Sequence, residues 1–197
     1  MHEDITGIIL AGGRATRMGG ADKGLVHVAG VPLYQYVLSR LRPQVGHIAI
    51  SANRNQIRYR ESGLPVISDL TADFSGPLAG MLAGLKHATT EWVAFVPCDV
   101  PDFPTTLVEQ LWQQKGQALA AYANDGERAH PTLALLHTSL VPHLAAYLAR
   151  GERKLMLFLD AVGAGKITFE GQQAAFHNLN TQEDCQRWLQ EKGLTNE

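Results

Sequence analysis

Between Leu10 and Gly24 the chain reads Leu-Ala-Gly-Gly-Arg-Ala-Thr-Arg-Met-Gly-Gly-Ala-Asp-Lys-Gly. Four glycines precede Lys23, and Arg14, Arg17 and Lys23 place three cations among them. Glycines let a backbone come close to a ligand and present consecutive N–H groups as an anion nest. Cations on the same loop would neutralise a polyphosphate. The spacing is neither the Walker A pattern nor the dinucleotide Gly-x-Gly-x-x-Gly pattern. A Gly-rich turn with solvated charges is the competing description. The loop follows an apolar run and groups its cations among the glycines, which favours phosphate binding.

Asp99 stands in Val96-Pro97-Cys98-Asp99-Val100-Pro101, just past another apolar run. A carboxylate at a strand's carboxyl end, near a phosphate loop, is placed to hold Mg²⁺, which takes one or two carboxylates plus phosphate oxygens and water. The bland alternative is an Asp that caps the following turn. Gly76-Pro77-Leu78-Ala79-Gly80 opens a helix, with Pro77 in its first turn and free N–H groups that could face an anion. Gly80 costs a helix about 1 kcal/mol against Ala, so a ligand or a neighbouring element must approach it closely. Ser51-Ala52-Asn53-Arg54 ends a strand with polar groups that could read a base or ribose. Asp69 follows the short strand Pro65–Ser68 and, taken alone, is an ordinary loop acid. Later come Asp125-Gly-Glu-Arg128 with His130, Gly151-Glu-Arg153-Lys154 opening a helix, and Asn178-Leu-Asn180-Thr181 between a strand and the last helix. Singly these read as a turn, solvated charge and an N-cap, the last a role Asn180 could fill.

These residues need a frame that brings them to one edge. Ile5–Leu10, His47–Ala52, Trp92–Pro97, Ala118–Ala123 and Thr132–Leu136 read as strands. Leu33, Tyr36, Val37 and Leu41 share one helical face; Leu78, Met81, Leu82 and Leu85 share another; Leu107, Val108 and Leu111 mark a third. Thr181 with Asp184 opens the last helix. His47 reads as a structural residue of the core. Alternating strands and helices predict an α/β fold with a mostly parallel sheet and helices on both faces. The closer spacing after Ala118 predicts an antiparallel element or two. In such sheets ligands bind at the carboxyl ends of the strands, which selects the loops after Leu10, Ala52, Ser68 and Pro97.

The chain has 197 residues, 45% of them apolar, and a net charge of −2. That charge exerts no long-range pull on nucleic acid or an anionic membrane, so an anionic substrate must be held by a local cation cluster. Cys98 and Cys185 lack metal-ligand spacing and fit a reducing compartment. No apolar run reaches the ~20 residues of a membrane helix, and Met1-His2-Glu3-Asp4 lacks the positive charge of a signal peptide. The cytoplasm is the expected location. Motifs for covalent catalysis or a zinc site are absent.

Leu-Ala-Gly-Gly, then Arg-Met-Gly, then Lys resembles the signature of nucleotidyltransferases that make nucleoside-diphosphate sugars. Arg17-Met-Gly-Gly-Ala-Asp-Lys23, Gly76-Pro-Leu-Ala-Gly80, Pro-Cys-Asp99 and the three later strings resemble one branch in particular, the molybdenum cofactor guanylyltransferases. The resemblance runs from about Thr6 to Glu183. It implies a Rossmann-like three-layer sandwich in a single domain, 1–197, whose N-terminal half binds GTP and whose C-terminal half binds molybdopterin. It implies transfer of GMP from GTP to the terminal phosphate of molybdopterin, with release of pyrophosphate. Arg17, Lys23 and Asp99 are then the catalytic set, with Asp99 on Mg²⁺. Leu10, Ala11, Gly12, Gly13, Lys23, Ser51, Asn53, Asp69, Gly76, Gly80 and Asp99 contact the nucleotide. His130, Arg153, Lys154, Asn178 and Asn180 contact the acceptor. The family often has Asn where this chain has Ser51, so a water could bridge the shorter side chain to the nucleotide. Expected partners are GTP, molybdopterin and molybdoenzyme-maturation proteins, with no nucleic acid and no membrane, for a monomer. CTP transfer to molybdopterin, other sugar- or alcohol-phosphate nucleotidyl transfer, and a non-catalytic GTP-binding cofactor chaperone are the alternatives.

Overall fold

The computed structural model describes residues 2–11, 22–69 and 76–194. Its parallel strands are apolar because they are covered on both sides. In β1 (His2–Leu10), Ile5 and Ile9 point into one core, while Ile8 and Leu10 point into the other. The same alternation runs along β6 (Trp92–Pro97), β7 (Ala120–Asn124) and β8 (Ala129–His137). With β4 (Val45–Ser51), β5 (Val66–Ile67) and β9 (Gly165–Thr168), these strands form a seven-stranded sheet ordered β5-β4-β1-β6-β8-β7-β9. A separate two-stranded hairpin joins β2 (His27–Val28) to β3 (Val31–Pro32).

Each face carries helices whose apolar residues repeat at helical spacing. On one face lie α1 (Leu33–Leu41), α4 (Leu107–Gln114) and Tyr59 of the short α2 (Gln56–Arg60). On the other lie α3 (Pro77–His87), α5 (Val141–Ala149) and α6 (Leu155–Ala161). The result is the expected three-layer α/β sandwich. A third, smaller core seats α7 (Gln182–Glu191) on the hairpin through Val28, Leu33, Leu179, Cys185, Trp188 and Leu189. Among the described residues no helix is long and apolar enough to cross a membrane.

Two features of topology position the site. β4 and β6 both pair with β1 in parallel, one on each side, so the order of connection reverses at β1. A crevice forms outside the carboxyl ends at such a switch point. Within the seven-stranded sheet, among the described residues, β8 alone runs antiparallel: it pairs with β6 through Trp92↔His137 and Phe95↔Ala134. It therefore starts, near His130, at the edge where the parallel strands end.

Some elements depart from expectation. Tyr36 leaves the α1 core face and packs edge-on against Trp188, with its hydroxyl donating to Val28 O at 2.6 Å. His47 is exposed and not part of the core; among the described residues β5 pairs with β4 only at Ile50 and Ser51. Asn178 is not preceded by a strand. A 3-10 turn, Gln173–Phe176, leads into extended chain whose Leu179 N–H donates to Asp99 O at 2.8 Å.

Candidate active site

The ends of the three central strands meet in register. Leu10 lies beside Ser51 and Pro97. The ladder continues one residue further: Ala11 N–H donates to Ser51 O at 2.8 Å, and Cys98 N–H to Leu10 O at 3.1 Å. Asp99 thus leaves β6 directly beside the start of the Gly-rich segment. Gly12, Gly13 and Arg17 lie outside the described residues.

Helix α3 seals this edge from one face. Gly76 precedes it at φ 95°, a left-handed conformation that suits glycine, and Pro77 opens the first turn as expected. A Cβ on Gly80 would sit 3.0 Å from Ser51 Oγ and 3.1 Å from Leu10 Cδ2. Close packing of α3 on the ends of β1 and β4 therefore accounts for that glycine. Ser51 is 3% exposed and packed beneath the helix.

Lys23 follows at the head of a short 3-10 turn and reaches across the strand ends. Its Nζ donates to Asn180 Oδ1 at 2.8 Å and lies 3.3 Å from Asp99 Oδ2. Asp99 is 7% exposed, whereas the Lys23 side chain is 26% exposed. The carboxylate is thus buried, while the ammonium keeps some access to solvent. Asn180 does not cap α7. That role belongs to Thr181, whose Oγ1 accepts from Asp184 N–H at 3.0 Å while Asp184 Oδ2 accepts from Thr181 N–H at 3.1 Å, a reciprocal capping box. The amide of Asn180 is left for Lys23.

Alongside, Asn53 and Asp69 make a reciprocal pair: Asn53 Nδ2 donates to Asp69 Oδ2 at 2.7 Å, and Asp69 N–H donates to Asn53 Oδ1 at 2.8 Å. Partial burial raises the Asp69 carboxyl above its usual range, against the lowering effect of the Asn53 bond. Both residues present polar groups beside the ends of β4 and β5.

The second half contributes a different group. His130 Nε2 and Asp125 Oδ2 are 2.7 Å apart, and the His130 ring stacks on Phe176 at 4.7 Å. Asp125 Oδ1 also accepts from the N–H groups of Glu127 and Arg128. The His130 bond first, and then these backbone donors, hold the Asp125 carboxyl at about 2. Arg153 and Lys154 are exposed just before α6, with the Arg153 guanidinium donating to Leu148 O and Glu152 O. Asn178 is exposed on the way to Asn180. The structure therefore joins Lys23, Asp99 and Asn180 directly, and Asn53 to Asp69. His130 sits in a separate cluster with Asp125, which the sequence marks only as a turn residue, and with Phe176, which its spacing does not mark.

The Asp125 carboxyl implies an acid dependence. Its folded value lies below the ordinary 3.8. The stability it contributes is therefore complete above about pH 4 and is lost as pH falls through about 2. Asp125→Asn should remove this dependence, so the wild type's advantage in urea unfolding narrows on acidification from pH 6 to pH 2. A constant gap across that window would mean the pair does not stabilise the turn.

Comparison with known proteins agrees with the geometry. Residues 7–162 match the MobA-like NTP transferase domain. A Serratia proteamaculans molybdenum cofactor guanylyltransferase is 84% identical over 197 residues, covering 100% of both chains. A Yersinia pestis protein of the same name is 61% identical over 192 residues, covering 98% of each. The crystal structure of molybdopterin-guanine dinucleotide biosynthesis protein A from Archaeoglobus fulgidus superposes with a TM-score of 0.76 at 21% identity, covering 95% of this chain and 98% of that one. Sheet order, strand-end site and full-length similarity converge: the chain is a nucleotidyltransferase of the MobA-like NTP transferase family, with molybdenum cofactor guanylyltransferases among its near relatives.

Proposed function

We infer that the chain transfers GMP from GTP to the terminal phosphate of molybdopterin and releases pyrophosphate. The observation that carries this is the junction of Lys23, Asp99 and Asn180 at the carboxyl edge of β1 and β6. The junction offers one buried carboxylate, one ammonium and one amide at the strand ends. The names of the full-length relatives support the choice of nucleotide and acceptor.

In this reading an acceptor phosphate oxygen attacks the α-phosphorus in line. One P–O bond forms, the bond to the β-phosphate oxygen breaks, and pyrophosphate departs. An ionised phosphate is already a nucleophile, so the chain needs no strong general base. Its residues position the reactants and neutralise charge. Lys23 and Arg17 would carry the triphosphate and the leaving pyrophosphate. The backbone from Leu10 to Gly13 and the start of α3 from Gly76 would face the phosphates. Asn53 and Asp69 would meet the nucleoside. His130, Arg153, Lys154 and Asn178 would serve the acceptor.

Asp99 fits Mg²⁺ as a single buried carboxylate at a strand end. Among the described residues no group of three or more His, Cys, Asp or Glu side chains could hold a metal, so the remaining ligands would be phosphate oxygens and water. When bound, Mg²⁺ supplies charge stabilisation to the phosphates. The buried thiols of Cys98 and Cys185 are free, in keeping with a cytoplasmic setting.

GTP labelled at the α-phosphate should pass label to molybdopterin, whereas γ-label should leave as pyrophosphate. CTP in excess should compete poorly. Label transfer from CTP as efficient as from GTP would overturn the assignment of the base.

Asn180 gives a sharper test, because its amide links the C-terminal half to Lys23. Asn180→Asp keeps the shape but places a second carboxylate against that ammonium, and it would repel the acceptor's phosphate. Binding of both ligands should weaken, with GTP affinity falling roughly tenfold, as expected for a disturbed hydrogen bond to a charged group. Separate titrations of GTP and molybdopterin check this. Unchanged GTP affinity would detach Asn180 from the control of Lys23.

A further inference from the structure

Lys23 is held by its ammonium group, but an ammonium on a flexible stem is only as well placed as the backbone beneath it. The preceding residue, Asp22, turns away from the crevice and splits its carboxylate between two donors. Asp22 Oδ1 accepts from the Tyr59 hydroxyl at 2.6 Å, and Asp22 Oδ2 accepts from Asn55 Nδ2 at 3.2 Å. Its carbonyl accepts from Leu25 N–H at 3.0 Å, closing the short turn that begins at Lys23.

Both donors are themselves fixed. Tyr59 is 0% exposed and packs edge-on against Tyr34 with ring centroids 5.1 Å apart. Burial above all, reinforced by nearby Cys98 and the bond to Asp22, pushes its hydroxyl far above the usual phenol range, so it remains a donor. Asn55 sits at φ 54°, a left-handed conformation that Asn tolerates better than most residues. It opens α2 from there, with its carbonyl accepting from Arg58 N–H and Tyr59 N–H. The fit is tight: a Cβ on Gly24 would lie 2.5 Å from the Tyr59 hydroxyl oxygen. The chain can cross this hydroxyl only where there is no side chain.

We propose that Asp22 is a positioning residue, which latches the backbone of Lys23 to Tyr59 and Asn55 so that the ammonium meets the triphosphate at a fixed place. The latch also ties the Lys23 turn to the segment carrying Asn53, so the phosphate side and the nucleoside side of the crevice share one anchor. This inference rests on the reading of Lys23 as a phosphate ligand.

The test is a double-mutant cycle on GMP transfer. Tyr59→Phe keeps the buried ring and removes one donor. It should lower kcat/KM roughly tenfold, the effect of losing a hydrogen bond to a charged group. In the Lys23→Ala background the same change should cost less than about twofold, because residues acting through one group are not additive. Asn55→Gly, which keeps the left-handed backbone and removes the other donor, should behave in the same way. It decides the matter should Tyr59→Phe fail to fold. Equal losses in both backgrounds, or no loss in the wild-type background, would overturn the latch and leave Lys23's own role intact. Wild-type activity of Lys23→Ala alone would instead overturn the reading of Lys23, and the latch with it.

Discussion

Asp99→Asn is expected to lower GMP transfer by at least about two orders of magnitude in a chain that remains folded. The amide keeps the size and shape of the side chain. The main-chain oxygen of residue 99, which accepts from Leu179 N–H, is untouched, so the tie between β6 and the chain leading to α7 survives. What is lost is the negative charge of Asp99 facing Lys23 at 3.3 Å, in a position that is 7% exposed. Under the proposed function that charge holds the metal. A metal's stabilisation of transition-state charge amounts to several kcal/mol, and about 1.4 kcal/mol is tenfold in rate. Lys23 keeps access to water, so the fold should barely register the loss of its partner. Normal turnover with an unchanged Mg²⁺ titration would return Asp99 to a purely structural role.

Lys23→Ala should reduce turnover roughly ten- to a hundredfold, since a charge-assisted contact to phosphate contributes about 1.5–3 kcal/mol. The substitution also strips Asp99 of its counter-ion and Asn180 Oδ1 of its donor. Those are local effects at a strand end. The buried residues of β1 and β6 do not depend on Lys23 for packing. Circular dichroism and the unfolding midpoint should therefore stay close to wild type while activity falls. Wild-type activity in such a folded mutant would remove Lys23 from the phosphate site.

The parts of the fold legible in the sequence are those where burial writes a pattern. Trp92–Pro97 is bounded as expected because four consecutive residues of it are buried. The helix opened by Gly76-Pro77 announces itself through its capping chemistry, and Thr181 with Asp184 does the same for α7. β8 extends well beyond Thr132–Leu136, because its leading residues, Ala129 to Thr132, are partly exposed and interrupt the apolar run. The segment before Asn178 reads as a strand because it is apolar in part, yet Gln173–Phe176 is a 3-10 turn and only the chain after it is extended. Its backbone is satisfied by Asp99 O and not by a ladder, a distinction made only in three dimensions.

The site divides in the same way. Lys23 and Asp99 could be read from position alone, since each follows an apolar strand. The link from Lys23 to Asn180 spans 157 residues, and no local pattern encodes it. Asp125 stands five residues before His130, but their contact depends on the reversal of the chain between β7 and β8. Asp22 directly precedes Lys23 in the sequence. Its partners, Asn55 and Tyr59, lie on another element, so the latch appears only when β4 and α2 are in place.

Passage of GMP to molybdopterin changes the mass of the pterin and can be measured directly. Its most direct test is anaerobic incubation of the chain with molybdopterin, GTP and Mg²⁺, followed by mass analysis of the pterin product. Molybdopterin should be enlarged by one GMP, with one pyrophosphate released per product and none when Mg²⁺ is withheld. GTP bound without any mass gain on molybdopterin would contradict it and favour a non-catalytic carrier.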